Sequence, residues 1–275
     1  MNKLSREEQA QVVAALTEGN SINSVVRMTG ISKVTILRLI KILGNACWNW
    51  HDEHVRGLKC KRVQCDEIWQ FCYAKEKNVP AAKRGQFGYG DVWTWVAIDA
   101  DSKLNISFLC ARRDTQSAIM FMDDVADRID SRIQLTTDGL RSYLVAVEGA
   151  FGLEVDYATL HKLYGLPPGE ERRYSPPICI GTKQAIVSGR PDPEHISTSY
   201  IERQNLTMRM SMRRFTRLTN GFSKKIENHV CSVALYTMHY NFCRVHKTLR
   251  VTPAMEAGLS DHVWTIEELL DRVGL

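Results

Sequence analysis

The sequence predicts an α/β chain: a mixed sheet flanked by helices, preceded by a small all-α domain. Three observations predict it. Helix caps and glycine turns recur through residues 1–45. Strand-like apolar runs begin after Cys60. Between those runs the apolar residues shift to the three- and four-residue spacing of amphipathic helices.

Ser5 is placed to cap a first helix, and Glu8 completes a capping box. Val12, Val13, Ala15 and Leu16 give that helix an apolar face, and Gly19-Asn20 ends it. Residues 21–29 form a second helix, Gly30 supplies a turn, and Ser32 caps a third over residues 33–43. Two short helices about a glycine turn make a helix-turn-helix. Ser32, Lys33, Thr35 and Arg38 are then expected toward a DNA major groove or its phosphates. A three-helix bundle without DNA contact is the competing reading. Residues 46–59 read as a connector whose Trp48, Trp50, His51 and His54 pack two domains together.

The second domain is expected over residues 60–255. Its strands are 62–73, 93–99, 105–110, 133–137 and 155–160. The turn-forming segment Asp99-Ala100-Asp101-Ser102-Lys103 makes the second and third a hairpin. Residues 75–90 form a basic flexible loop, and helices follow at 115–129 and 140–151. Residues 164–195 carry Pro167, Pro168, Pro176, Pro177, Pro191 and Pro193, so only short strands are expected there, at 178–180 and 184–187. Helices at 199–214 and 224–243 close the domain, and residues 256–275 form a tail with a short capped helix.

At 275 residues and 44% hydrophobic content, the chain has the composition of a globular protein. No run of about 18 apolar residues suggests a membrane span, and the N-terminus lacks an apolar signal core. A cytoplasmic, nucleoid-associated location and no membrane partner are therefore expected. The net charge is only +5, but basic residues dominate between Glu202 and Arg250, Arg217 among them. That is the footprint of a polyanion, here double-stranded DNA. The eight cysteines include no Cys-x-x-Cys pair and read as buried reduced thiols. Nothing suggests a small-molecule cofactor.

Three acids carry the chemistry. Asp66 interrupts the first strand, Asp138 ends the fourth, and Glu202 lies early in a basic helix. Carboxylates are hard oxygen ligands suited to Mg²⁺ or Mn²⁺. Two such ions stabilise the attacking and leaving oxygens of a displacement at phosphorus. Each acid alone reads as a turn residue or a solvated helix residue; the ordered trio is the specific signal. Glu202, Asn205, Arg209 and Arg213 recur at helical spacing and share a face suited to a phosphate backbone. Glu67 is expected on the opposite sheet face, as a structural acid. Arg244 and His246 either contact phosphate or cap and pack a helix end.

These segments resemble the DDE transposases of bacterial insertion sequences, most closely the first-described, very short type. The resemblance rests on Cys65-Asp66-Glu67-Ile68-Trp69, Gly90-Asp91-Val92-Trp93-Thr94-Trp95, Leu135-Thr136-Thr137-Asp138-Gly139, the run from His195 to Asn205 and the run from Met238 to Ala254. It implies a ribonuclease-H-like fold and a metal-binding triad of Asp66, Asp138 and Glu202. It also implies binding to terminal inverted repeats, strand transfer into target DNA, and at least a dimer in the synaptic complex. Similar chains often carry an N-terminal zinc module; no cysteine precedes Cys47, so recognition rests on the helix-turn-helix. A nuclease without strand transfer and a DNA-binding regulator with an inactive domain remain the alternatives.

Overall fold

The structure, a computed structural model, describes residues 4–165, 178–216 and 219–274. Pro167, Pro168, Pro176, Pro177 and Arg217 lie outside the described residues.

α1 (Arg6–Thr17) starts at the expected capping box, with Glu8 and Ser5 each satisfying the other's backbone N–H. α2 (Ile22–Thr29) is capped by Ser21 and ends at Gly30, which takes the left-handed conformation. α3 starts at the Ser32 cap but runs over Lys33–His54, well past the expected end at residue 43. Gly44 does not stop it. A side chain there would sit 2.4–2.5 Å from the backbone of Cys231, so the glycine is what lets another helix pack against α3. The far end is held by Arg128. Its guanidinium donates to the carbonyls of His51 and Val55 and pairs with Asp52 and Asp124, complementing the negative end of the helix. Trp48 packs edge-on to Phe108, and Trp50 against Phe242 and Trp264. The segment expected as a connector is thus mostly helix, and Trp48 and Trp50 are packed against the main core.

The sheet has six strands in the order β3-β2-β1-β4-β5-β6. β1 (Arg62–Cys72), β2 (Gly90–Asp99) and β3 (Asn105–Ala111) form an antiparallel meander. β4 (Ile133–Thr137) and β5 (Val155–Gly165) join β1 in parallel, and β6 (Ile178–Ser188) returns antiparallel to β5. This is the mixed α/β sheet expected of a ribonuclease-H-like domain. β6 is one strand rather than two short ones, and β5 extends five residues past its expected end at Leu160, because the two pair with each other well beyond the apolar part of β5.

α4 (Thr115–Ala126) and α5 (Ser142–Phe151) cover one face, where Trp95 meets Phe121 and Tyr143. The other face carries α6 (Ser199–Ser211) and α7 (Ile226–Met238); α3 packs on α7. Even-numbered residues of β1 face that side: Gln64 and Asp66 meet α6, and Gln70 meets His229 of α7. α6 is shorter than expected, so Arg213 lies in a separate 3₁₀ turn, Arg213–Phe215, and not on the helix face with Glu202. α7 passes into a π-helical turn, His239–Cys243, followed by α8 (Pro253–Glu256) and α9 (Ile266–Arg272). The basic loop holds two 3₁₀ turns, and Lys83 lies over the rings of Tyr73 and Tyr89. Among the described residues no helix is long and apolar enough to cross a membrane.

Candidate metal centre

The parallel pairing of β1 and β4 ends at Cys65 and Thr137. Asp66 and Asp138 are the next residue of each chain, so the topology sets them side by side at the strand end. Asp138 Oδ1 accepts from the Leu140 N–H at 2.9 Å, which fixes the turn leaving β4. Gly139 follows because the ring of His161 fills the space where a side chain would stand.

α6 delivers Glu202. The N–H groups of Tyr200 and Ile201, unpaired by the helix itself, both donate to Gln64 Oε1 at 2.9 and 3.1 Å. That bond pins the first turn of α6 to β1. One turn on, Asn205 Nδ2 donates to Asp66 Oδ2 at 2.8 Å, and the Glu67 N–H donates to Asp66 Oδ1 at 2.8 Å. Asp66, Asp138 and Glu202 line one open cleft of about 760 Å³ with Arg113, His161 and Lys162.

The tightest carboxylate group is Asp66, Glu67 and Asp138, each offering an oxygen within 4.8 Å of the others, with Glu67 behind the cleft wall rather than lining it. Glu67 does lean to the other sheet face, beside Tyr143, but β4 stops short of it and its carboxylate reaches Asp138. Arg113 bridges the two, with Nε donating to Glu67 Oε2 at 3.0 Å and Nη2 3.6 Å from Asp138 Oδ2. The Glu67 side chain is only 1% exposed and its Oε1 has no hydrogen-bond partner. Glu202 stands slightly apart: Lys162 forms an ion pair with Oε2, and Thr198 Oγ1 donates to Oε1 at 2.7 Å.

Burial pushes the Asp66 carboxyl up to about 7, with Glu67 and then Asp138 adding repulsion and Glu202 a smaller share. Glu67 is raised as well, by burial first and then by Asp138. Four carboxylates with two nearby cations are an unbalanced anionic set made of oxygen donors alone. That donor set fits a hard divalent cation.

Sequence reasoning missed Gln64, Arg113 and Lys162. Gln64 had a readable signal, since it shares the strand face of Asp66. Lys162 had none, because β5 continues past its apolar run. Arg209 reaches the carbonyls of Trp69 and Phe215 at 3.4–3.5 Å, further along β1. Arg244 donates to Ser211 Oγ at 2.9 Å, and the His246 ring bonds Thr248 at 3.0 Å; neither lines the cleft. Asn241 exchanges hydrogen bonds with the Asn105 backbone, so it ties the end of α7 to β3, while Arg244 is exposed. Ser32 and Thr35 bond each other at the start of α3, Lys33 borders a cavity, and Arg38 is exposed further along the helix. All eight cysteines are free, and six are buried.

The fold and site together define an α/β protein with a carboxylate cluster where β4 ends beside the middle of β1. No family model matches the chain, and no curated protein matches it. Among solved structures it is similar to Mos1 transposase in a paired-end complex with the left transposon end, at 14% identity over 57% of this chain and 60% of that one, TM-score 0.24. It is similar also to piggyBac transposase in a synaptic complex with hairpin DNA, at 8% identity over 99% of this chain and 71% of that one, TM-score 0.40. A Mos1 strand transfer complex matches at 15% identity over 56% and 59% of the two chains, TM-score 0.24. The chain thus spans about 60% of the Mos1 chains it matches. At these scores the likeness is distant, and the site stands on its own geometry.

Proposed function

We propose that this chain is a DNA transposase of a bacterial insertion sequence, a DDE-type enzyme dependent on Mg²⁺ or Mn²⁺. The observation that carries the reading is the convergence of Asp66, Asp138 and Glu202 on one cleft from three separate elements. Asp66, Asp138 and Glu202 would hold two ions, with Glu67 buried behind them. Metal ions bound by such carboxylates activate water or a 3′-hydroxyl and offset the charge that builds on phosphorus. The chain's own residues prepare that site. Asn205 orients Asp66, Gln64 fixes the helix that carries Glu202, and Arg113 keeps Glu67 and Asp138 from repelling each other apart. Lys162 neutralises Glu202 and is placed to meet a phosphate when that pair opens.

In this reading the N-terminal helix-turn-helix, with Ser32, Lys33, Thr35 and Arg38, binds the terminal inverted repeats. Asn205, Arg209, Arg213, Arg244 and His246 would add contacts along the DNA. The enzyme hydrolyses phosphodiesters at the element ends and joins the freed 3′-ends to target DNA, acting as a dimer or larger assembly at the nucleoid. The test is cleavage of DNA bearing the element's ends with Mg²⁺, followed by joining to a plasmid. Asp66→Asn, Asp138→Asn and Glu202→Gln are each expected to lower nicking at least a thousandfold while DNA binding persists. Near-normal nicking by any of them removes that residue from the site. Nicking without joined products would favour a nuclease.

A further inference from the structure

Two cavities meet beside the N-terminal helices, apart from the carboxylate cleft. The first, about 220 Å³, lies between α1–α3, α7 and the segment after α6, and its walls include Lys33, Arg213, Arg214 and Lys224. The second, an open cleft of about 730 Å³ at the far end of β1, adds Lys75 and Lys77. They share Asn220, Phe222 and Lys224, and no carboxylate among the described residues lines either.

Arg214 is the unusual member. Its Nη1 donates to Ser223 Oγ at 2.6 Å, while Nη2 is buried with no hydrogen-bond partner. No acid pairs with it among the described residues. A guanidinium removed from water without a counter-charge is costly, and an arriving anion removes that cost. The neighbouring cations are exposed, and Lys224 rests over the ring of Phe222 at 4.1 Å. The groove is tied to the sheet, because the Tyr73 N–H donates to the Ser223 carbonyl at 2.8 Å. Phe71 at its edge is five residues along β1 from Asp66, roughly 17 Å at the rise of a strand.

We propose that this acid-free groove binds the phosphate backbone of duplex DNA, with the half-buried Arg214 as its anchor and Lys75, Lys77 and Lys224 as its exposed contacts. A row of cations fits a row of phosphates better than it fits one small anion. The inference deepens the proposed function and rests on its DNA reading, but its test does not use cleavage.

The experiment measures binding of the full chain to a labelled duplex of arbitrary sequence, without metal, across a range of salt. Wild type is compared with Lys75→Ala/Lys77→Ala/Lys224→Ala, whose changes are all at exposed positions, and with Arg214→Gln. The triple variant is expected to reduce the slope of log affinity against log salt by about 2–3, near 0.9 per phosphate contact. Arg214→Gln, if folded by circular dichroism, is expected to weaken binding at least tenfold. An unchanged slope in the triple variant overturns the groove; if wild type still nicks with Mg²⁺, the proposed activity stands without it. Thermal protection by inorganic phosphate that both variants lose, with DNA binding unaltered, would assign the cavity to a free anion and equally overturn the proposal.

Discussion

At the scale of single residues, the candidate centre depends on side chains that would touch no substrate. Gln64 is the clearest case. Its one oxygen accepts from two N–H groups at the start of α6, and so sets where Glu202 stands. Gln64→Leu keeps the volume and removes the acceptor, leaving two helix N–H groups unsatisfied near the core. It is expected to destabilise the fold by about 1–3 kcal/mol and to lower the rate of metal-dependent nicking more than tenfold with little change in DNA affinity. A nicking rate equal to wild type, measured on folded protein, would show that Glu202 needs no such anchor. Glu67 makes the complementary point about what a sequence reveals. Strand alternation predicts its sheet face, but only the early end of β4 explains why its carboxylate still reaches Asp138.

At the scale of elements, the legible parts are those with local punctuation. The caps at Ser5, Ser21 and Ser32, the hairpin between β2 and β3, and the five residues of β4 follow from nearby residues alone. The far end of α3 and the length of β5 and β6 do not, because distant partners decide them. Gly44 resembles a helix stop in sequence, yet its lack of a side chain admits Cys231 of α7. Gly44→Ala would be a favourable change in an isolated helix by about 1 kcal/mol. Here the added methyl must push back a packed backbone, so a net loss of about 2–3 kcal/mol is expected in urea unfolding. A gain in stability would mean that the two helices separate easily.

At the scale of the whole molecule, two buried histidines join the N-terminal helices and α7 to the sheet. His51 bonds the Asn105 carbonyl at 3.3 Å, and burial, helped by Arg128, lowers it to about 4. His229 accepts from Gln70 at 2.8 Å, and burial, helped by Arg214, lowers it to about 3. Both are neutral in the fold and titrate near 6.5 once unfolded, so the unfolded chain binds more protons in acid. Their contribution is intact above about pH 6.5 and is lost progressively as pH falls toward 4 and then 3. His51 alone accounts for about 3 kcal/mol across that window. Chemical unfolding at pH 7.5 and pH 5 should show the drop, and His51→Gln should make it shallower. Because the raised Asp66 carboxyl works in the opposite sense over this range, the deciding comparison is between variants: an identical pH dependence in wild type and His51→Gln would rule out neutral burial of His51.

α3 also has a mechanical meaning. Its 22 residues form one unbroken rod, about 33 Å long at the rise of an α-helix. One end carries Lys33 at the surface, and the other is clamped by Arg128 behind the sheet. With no hinge between, the distance from the outer helices to the acidic cleft is fixed before any partner arrives. Under the proposed function the rod would work as a built-in ruler: a duplex seated at its tip would have a set number of base pairs between the bound segment and the bond to be cut.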